Sequence, residues 1–217
     1  MIEALPKRAF FRFEVAVRAR AFSKFTAEAR KWEVRHMLPP LIEVEERPPL
    51  ADVYAGWDAE GMQFLFDVPG RTTPFACQPD TWWHGDGVRI CIDTRDARDV
   101  RRQTRYCHFF YILPTGGGSQ RRSPIVGTHR MSHARETPPP CDTTLIDVQV
   151  DARRRGYALA VRIPASCLHG WDPQEHRRIG LFYKLNDMQL GAQTLSATDE
   201  MGWNQDPSTW ATAVLSD

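Results

Sequence analysis

The chain has 217 residues, and its 28 basic and 27 acidic side chains leave a formal net charge of +1, so it lacks the electrostatic footprint of a nucleic-acid or anionic-membrane binder. At this length one large domain, or a domain with an extension, buries about 70% of the surface its unfolded form exposes and needs no metal or disulfide staple. No run approaches the roughly 18 apolar residues of a bilayer-spanning helix. Met1 to Phe22 shows no signal-peptide-like apolar stretch, which makes the cytoplasm the default expectation, with export left open. Five cysteines, Cys77, Cys91, Cys107, Cys141 and Cys167, are too widely spaced for a zinc site. Their odd number predicts reduced, unpaired thiols, with Cys91 and Cys107 buried as small hydrophobes.

Period-2 alternation dominates the reading in chain order. Phe11, Phe13, Val15 and Val17 alternate with Arg12, Glu14, Ala16 and Arg18, the pattern of a half-buried strand. Residues 25–35 are a short helix candidate, as are 97–102 and 165–168. Between 35 and 50, the pairs Pro39-Pro40 and Pro48-Pro49 read as an extended connector. Residues 1–49 are therefore expected to be an N-terminal strand and Pro-rich connector packed on a sandwich formed by 50–217. Residues 53–57, the Asp58 to Gly61 turn and residues 62–68 read as a hairpin. Further strands are predicted at 88–93, 108–113, 145–150, 157–163, 179–186 and 210–215. Residues 114–144, with Gly116-Gly117-Gly118, Arg121-Arg122 and Pro138-Pro139-Pro140, read as one long loop of the kind that is functional or mobile. No internal repeat of 20 to 50 residues is present. The sum is an all-β, jelly-roll-like antiparallel sandwich with an N-terminal strand extension and under about 15% helix.

The segment Trp82-Trp83-His84-Gly85-Asp86-Gly87-Val88-Arg89-Ile90-Cys91-Ile92-Asp93 carries most of the functional signal, because an aromatic, Gly-rich loop runs directly into an alternating strand. Together with Ala55-Gly56-Trp57-Asp58 before Met62-Gln63-Phe64-Leu65, Gly156-Tyr157 through Ile163-Pro164, Ile179-Gly180 to Asn186-Asp187, and Trp203 with Asp206-Pro207-Ser208, it resembles, in order, the motifs of the family 9 carbohydrate-binding modules and related DOMON-like sandwiches. The resemblance runs from about residue 50 to 217. It implies a non-catalytic module in which Trp83 and Trp203 grip a sugar while Arg89, His108, Lys184 and Asn186 bond its hydroxyls. Arg89 stands where the family has Glu, and His108 stands near a family Arg. A flat indole suits this task because its face covers the C–H face of a pyranose. The implied partner is an oligo- or polysaccharide. The alternative is a protein-interaction or structural sandwich that has lost the sugar site, and a third reading is haem held by Met62 and His108.

Several constellations are better read as structure. Trp82 and Trp83 are neighbours, so in an extended segment only one faces a given site. Trp57, Trp171 and Trp210 are assigned to packing. His129 and His133 lack a third ligand at a recognised spacing, and the Asp93, Asp96, Asp99 turn is crowded by arginines, so no metal is expected. No Gly-x-Ser-x-Gly, His-Glu-x-x-His, phosphate-loop or dinucleotide pattern is present, and neither catalysis nor a cofactor is expected.

Overall fold

The structure, a computed structural model, describes residues 13–39, 41, 48–97 and 101–217. Phe11, Arg12, Pro40 and Asp99 lie outside them. The alternating runs form eleven strands: β1 (Glu14–Arg18), β2 (Asp52–Asp58), β3 (Gly61–Pro69), β4 (Gly87–Asp93), β5 (Cys107–Gly117), β6 (Ser123–Thr128), β7 (Asp147–Arg153), β8 (Gly156–Pro164), β9 (Arg178–Asp187), β10 (Gly191–Thr194) and β11 (Ala211–Ser216). One sheet has the order β1-β11-β9-β4-β5-β6, with β10 on β9; the other is β2-β3-β8-β7. The two face each other across one apolar core built from alternate residues, such as Phe64, Phe66, Ile90, Ile92, Phe110, Leu181 and Tyr183. The all-β sandwich is thus as expected. Among the described residues helix is confined to single 3-10 turns, of which Ala29–Lys31 and the start of Val34–His36 fall within 25–35, where a short helix was a candidate.

Strand β3 buries every residue from Gly61 to Phe66, a continuous rather than alternating pattern, because its sheet is covered on both faces. Residues 22–37 fold over the outer side, where Ala27 and Trp32 pack on Tyr54, Leu65, Ala158 and Ala160. The buried amide of Gln63 is satisfied there: it accepts from the Arg20 guanidinium at 3.0 Å and donates to the carbonyls of Arg20 and Ala21. Trp57, Trp171 and Trp210 pack as expected, and the Trp57 indole donates to the Val17 carbonyl at 2.8 Å.

Three features depart from the sequence reading. Strand β1 joins β11 in parallel, so the larger sheet is not purely antiparallel. The predicted 114–144 loop contains β6, which forms a hairpin with β5. The glycine run is its turn, with Gly116 and Gly118 at φ of +113° and +71°, where a side chain is strained. Finally, Cys141 and Cys167 form a disulfide, which corrects the expectation of five free thiols and removes the cysteine-based ground for a reducing compartment. Cys91 and Cys107 are free and buried, as expected. The bridge closes a 26-residue separation, for which chain entropy gives about 3.5 kcal/mol of stabilisation. Dithiothreitol, or Cys141→Ala with Cys167→Ala, is therefore expected to lower the urea midpoint by that order, and an unchanged midpoint in reductant would contradict it.

Candidate functional site

Alternation along β4 sends Val88, Ile90 and Ile92 into the core and leaves Arg89, Cys91 and Asp93 on the opposite face of the larger sheet. Register then decides their neighbours. Arg89 lies between Lys184 of β9 and Tyr111 of β5, Cys91 between Phe182 and Phe109, and Gly87 beside Asn186. A polar row, Lys184-Arg89-Tyr111, thus runs across the sheet above an apolar row, Phe182-Cys91-Phe109.

Two loops fold over this face. Residues 195–210 bring Trp203 flat onto Phe182, with centroids 4.6 Å apart and planes 21° apart, in an aromatic cluster with Phe109, Met131 and Trp210. The loop before β4 lays Trp82 on Tyr111 at 4.5 Å and 10°. Tyr111 in turn lies on Gly127, where an added Cβ would fall 2.2 Å from its ring; only glycine permits that contact. Trp83 stands edge-on to Trp82 at 5.7 Å and is 52% exposed.

The loop is anchored by charge. The guanidinium of Arg71 donates to both carboxylate oxygens of Asp86, at 2.8 and 2.7 Å, and lies 2.8 Å from Asp187, all three groups being buried. Asp86 also accepts from the backbone N–H groups of Ala76 and Met188. From beneath, Arg89 donates to the carbonyls of Trp82 at 2.5 Å and Gly87 at 3.2 Å.

The predicted residues are therefore divided. Trp83, Trp203, Arg89, Lys184 and Asn186 share the outer face, but not as an open clamp. Trp203 is only 6% exposed and Arg89 only 2%. Trp203 is packed under Lys184 and Asp199: its indole N–H donates to Asp199 at 2.7 Å, and the Lys184 ammonium lies 5.8 Å from its ring centroid. Lys184 donates to both Asp199 oxygens, at 2.7 and 2.6 Å. Burial opposes ionisation of Asp199, but the bonds from Lys184 and Trp203 outweigh it and hold the carboxyl below the ordinary range. Burial likewise pushes the Arg89 guanidinium down to about 10, against a partly restoring field from Asp199.

His108 does not join this face. It shares the inward parity of Phe110 and Ile112, is buried, lies parallel to the Phe110 ring at 6.1 Å, and has Nε2 3.4 Å from the His169 carbonyl oxygen. A shift of one residue along a strand reverses the face, and the outer place belongs to Phe109. Met62 is equally buried in the core, so packing accounts for both proposed haem ligands. The residues that sequence reasoning missed here are Trp82, Tyr111, His129 and Asp199. Tyr111 was accessible from parity, since it shares the phase of Phe109. His129, 5.0 Å from the Trp82 centroid, arrives only through the β5–β6 pairing. Among the described residues no group of three His, Cys, Asp or Glu is placed to hold a metal, and Asp93 caps its turn by accepting from the N–H groups of Arg95 and Ala97.

Burial pushes the His108 imidazole down to about 4, the His169 carbonyl opposing only weakly. The unfolded chain, with a pKa of about 6.5, takes up a proton that the fold refuses. Stability is therefore expected to be full above about pH 6.5 and to fall as pH drops towards 4. His108→Phe should flatten that limb in urea melts, and an unaltered acid limb would contradict the assignment.

No protein-family model and no curated protein matches the sequence. Solved structures do. The chain superposes on a family 9 carbohydrate-binding module from Caldicellulosiruptor kristjanssonii in complex with cellotriose (12% identity, TM-score 0.61, 94% of this chain and 93% of that one). The corresponding module in complex with glucose aligns at 13% identity and TM-score 0.63, over 93% and 95% of the two chains. A candidate carbohydrate-binding protein from Bacteroides uniformis aligns at 10% identity and TM-score 0.56, over 94% and 99%. The chain has the fold of family 9 carbohydrate-binding modules; the wider DOMON-like label finds no support among these structures.

Proposed function

We propose that this protein is a non-catalytic carbohydrate-binding module whose ligand lies on the outer face of the larger sheet, over Trp83 and the Trp82–Tyr111 stack. The observation that carries this reading is a half-exposed indole held on a rigid aromatic stack beside a polar row. Trp83 is 52% exposed, which is unusual for so large an apolar ring, and the row Tyr111-Arg89-Lys184 runs alongside. The fold likeness to modules solved with cellotriose and glucose supports it. Trp203 acts in this reading as the floor of the site rather than its second jaw. The disulfide supports an oxidising compartment over the cytoplasmic default.

Calorimetry with a panel of neutral and acidic oligosaccharides, gluco- and xylo-oligomers among them, is expected to detect binding. Trp83→Ala should weaken it about tenfold, the effect of about 1 to 2 kcal/mol for one stacked ring. The same change should leave stability within about 0.5 kcal/mol, as for an exposed side chain. The buried state of Trp203 and the exposure of two large apolar side chains, Met188 at 65% and Trp83 at 52%, favour the second reading, a protein-interaction surface. Absence of binding across the whole panel would decide for it.

A further inference from the structure

The charges on the candidate face do not balance. Arg89 is buried at 2% exposure, yet its guanidinium donates only to two backbone carbonyls, those of Trp82 and Gly87. No carboxylate is within ion-pair distance of it among the described residues, although a buried charge is ordinarily paired. Lys184 lies beside it in register and is paired with Asp199. One carboxylate therefore faces two neighbouring cations while pairing directly with Lys184 alone, and the polar row carries a surplus positive charge.

That one carboxylate is also open to solvent. Asp199 opens the single 3-10 turn Asp199–Met201, and its side chain is 70% exposed while that of Lys184 is 14% exposed. It occupies a cradle of donors from the body of the fold, the Lys184 ammonium and the Trp203 indole N–H. Only the Asp199 end of this pair is open to solvent, so an external carboxylate can reach the cradle, and by accepting the same bonds from Lys184 and Trp203 it offsets those that Asp199 gives up. A ligand carboxylate in the same cradle feels the field of Arg89 as Asp199 does, a field that a low-dielectric surrounding strengthens.

We infer that the face selects acidic saccharides, a uronate carboxylate displacing Asp199 from Lys184 and Trp203 while the sugar ring lies on the tryptophan platform. This rests on the carbohydrate reading above and names the ligand class within it. Neutral sugars have only hydroxyls to offer the cradle and leave the surplus charge of Arg89 unanswered. The exchange is purely non-covalent: Asp199 swings to solvent and the ligand anion takes its bonds.

The test compares oligomers of glucuronic and galacturonic acid with their methyl esters, which keep the rings and lose the charge, by calorimetry at low and high salt. The acids are expected to bind about tenfold more tightly than the esters at low salt, and the advantage to shrink as salt screens it. Asp199→Asn, an exposed change, should strengthen acid binding several-fold by removing the competing carboxylate, and Lys184→Met should abolish the acid's advantage. Equal affinities for acid and ester, or an acid preference that Asp199→Asn weakens, would overturn the inference. Binding of neutral gluco- or xylo-oligomers without binding of the acids would overturn it and leave the carbohydrate reading standing. Silence from every sugar would overturn both.

Discussion

Arg71→Leu is expected to destabilise the fold by about 3 to 5 kcal/mol, because it leaves two buried carboxylates facing each other without their shared counter-ion. Asp86 and Asp187 are 0% and 3% exposed, and the guanidinium between them is held above its ordinary range: burial pushes it down, but bonds and charge from both aspartates outweigh that. Urea denaturation at pH 7 measures the loss. The variant should regain part of it as pH falls, since unpaired buried carboxylates titrate above the unfolded value and the folded form then binds the extra protons. Wild type should show no such gain. Because Asp86 also ties down Ala76 and Met188, the loop bearing Trp82 and Trp83 should loosen with it, and saccharide binding should weaken alongside stability. A loss below about 1 kcal/mol would mean that the triad behaves as a surface ion pair.

Trp203→Ala is expected to cost a similar amount, about 3 to 5 kcal/mol, as for other large buried aromatics. The indole covers Phe182, touches Phe109 at 5.7 Å, and supplies an N–H to Asp199; truncation opens a void in the outer aromatic cluster. The comparison with Trp83→Ala separates floor from platform. One substitution should unfold the protein at lower urea, while the other should be silent in urea and visible only in ligand binding. An open two-jaw clamp would instead make both substitutions mild in stability and severe in binding, which a parallel set of melts and titrations distinguishes.

How far the sequence carried this reading follows from the range of each interaction. Period-2 alternation exposed nine of the eleven strands among the described residues because their inward residues are apolar and close in sequence. It missed β6, Ser-Pro-Ile-Val-Gly-Thr, and β10, Gly-Ala-Gln-Thr, whose half-exposed, polar and Gly-containing composition has no apolar phase to read. The 26-residue separation of Cys141 and Cys167 likewise says nothing of a bridge. The return of the loop after β6 is what brings their Cα atoms to 4.9 Å.

The same division runs through the candidate site. The sequence by itself determined that Arg89 opposes Val88 and Ile90, that an aromatic pair precedes β4, and that the chain folds as a β-sandwich, since each follows from local alternation and burial. Only the tertiary structure decided that Trp82 packs on Tyr111 while Trp83 reaches solvent, that Trp203 is a buried floor, that His108 turns inward, and that Asp199 answers Lys184. Each of these depends on strand register and loop return between residues distant in the chain. A one-residue shift in register reverses the face a side chain occupies, and no local pattern encodes it.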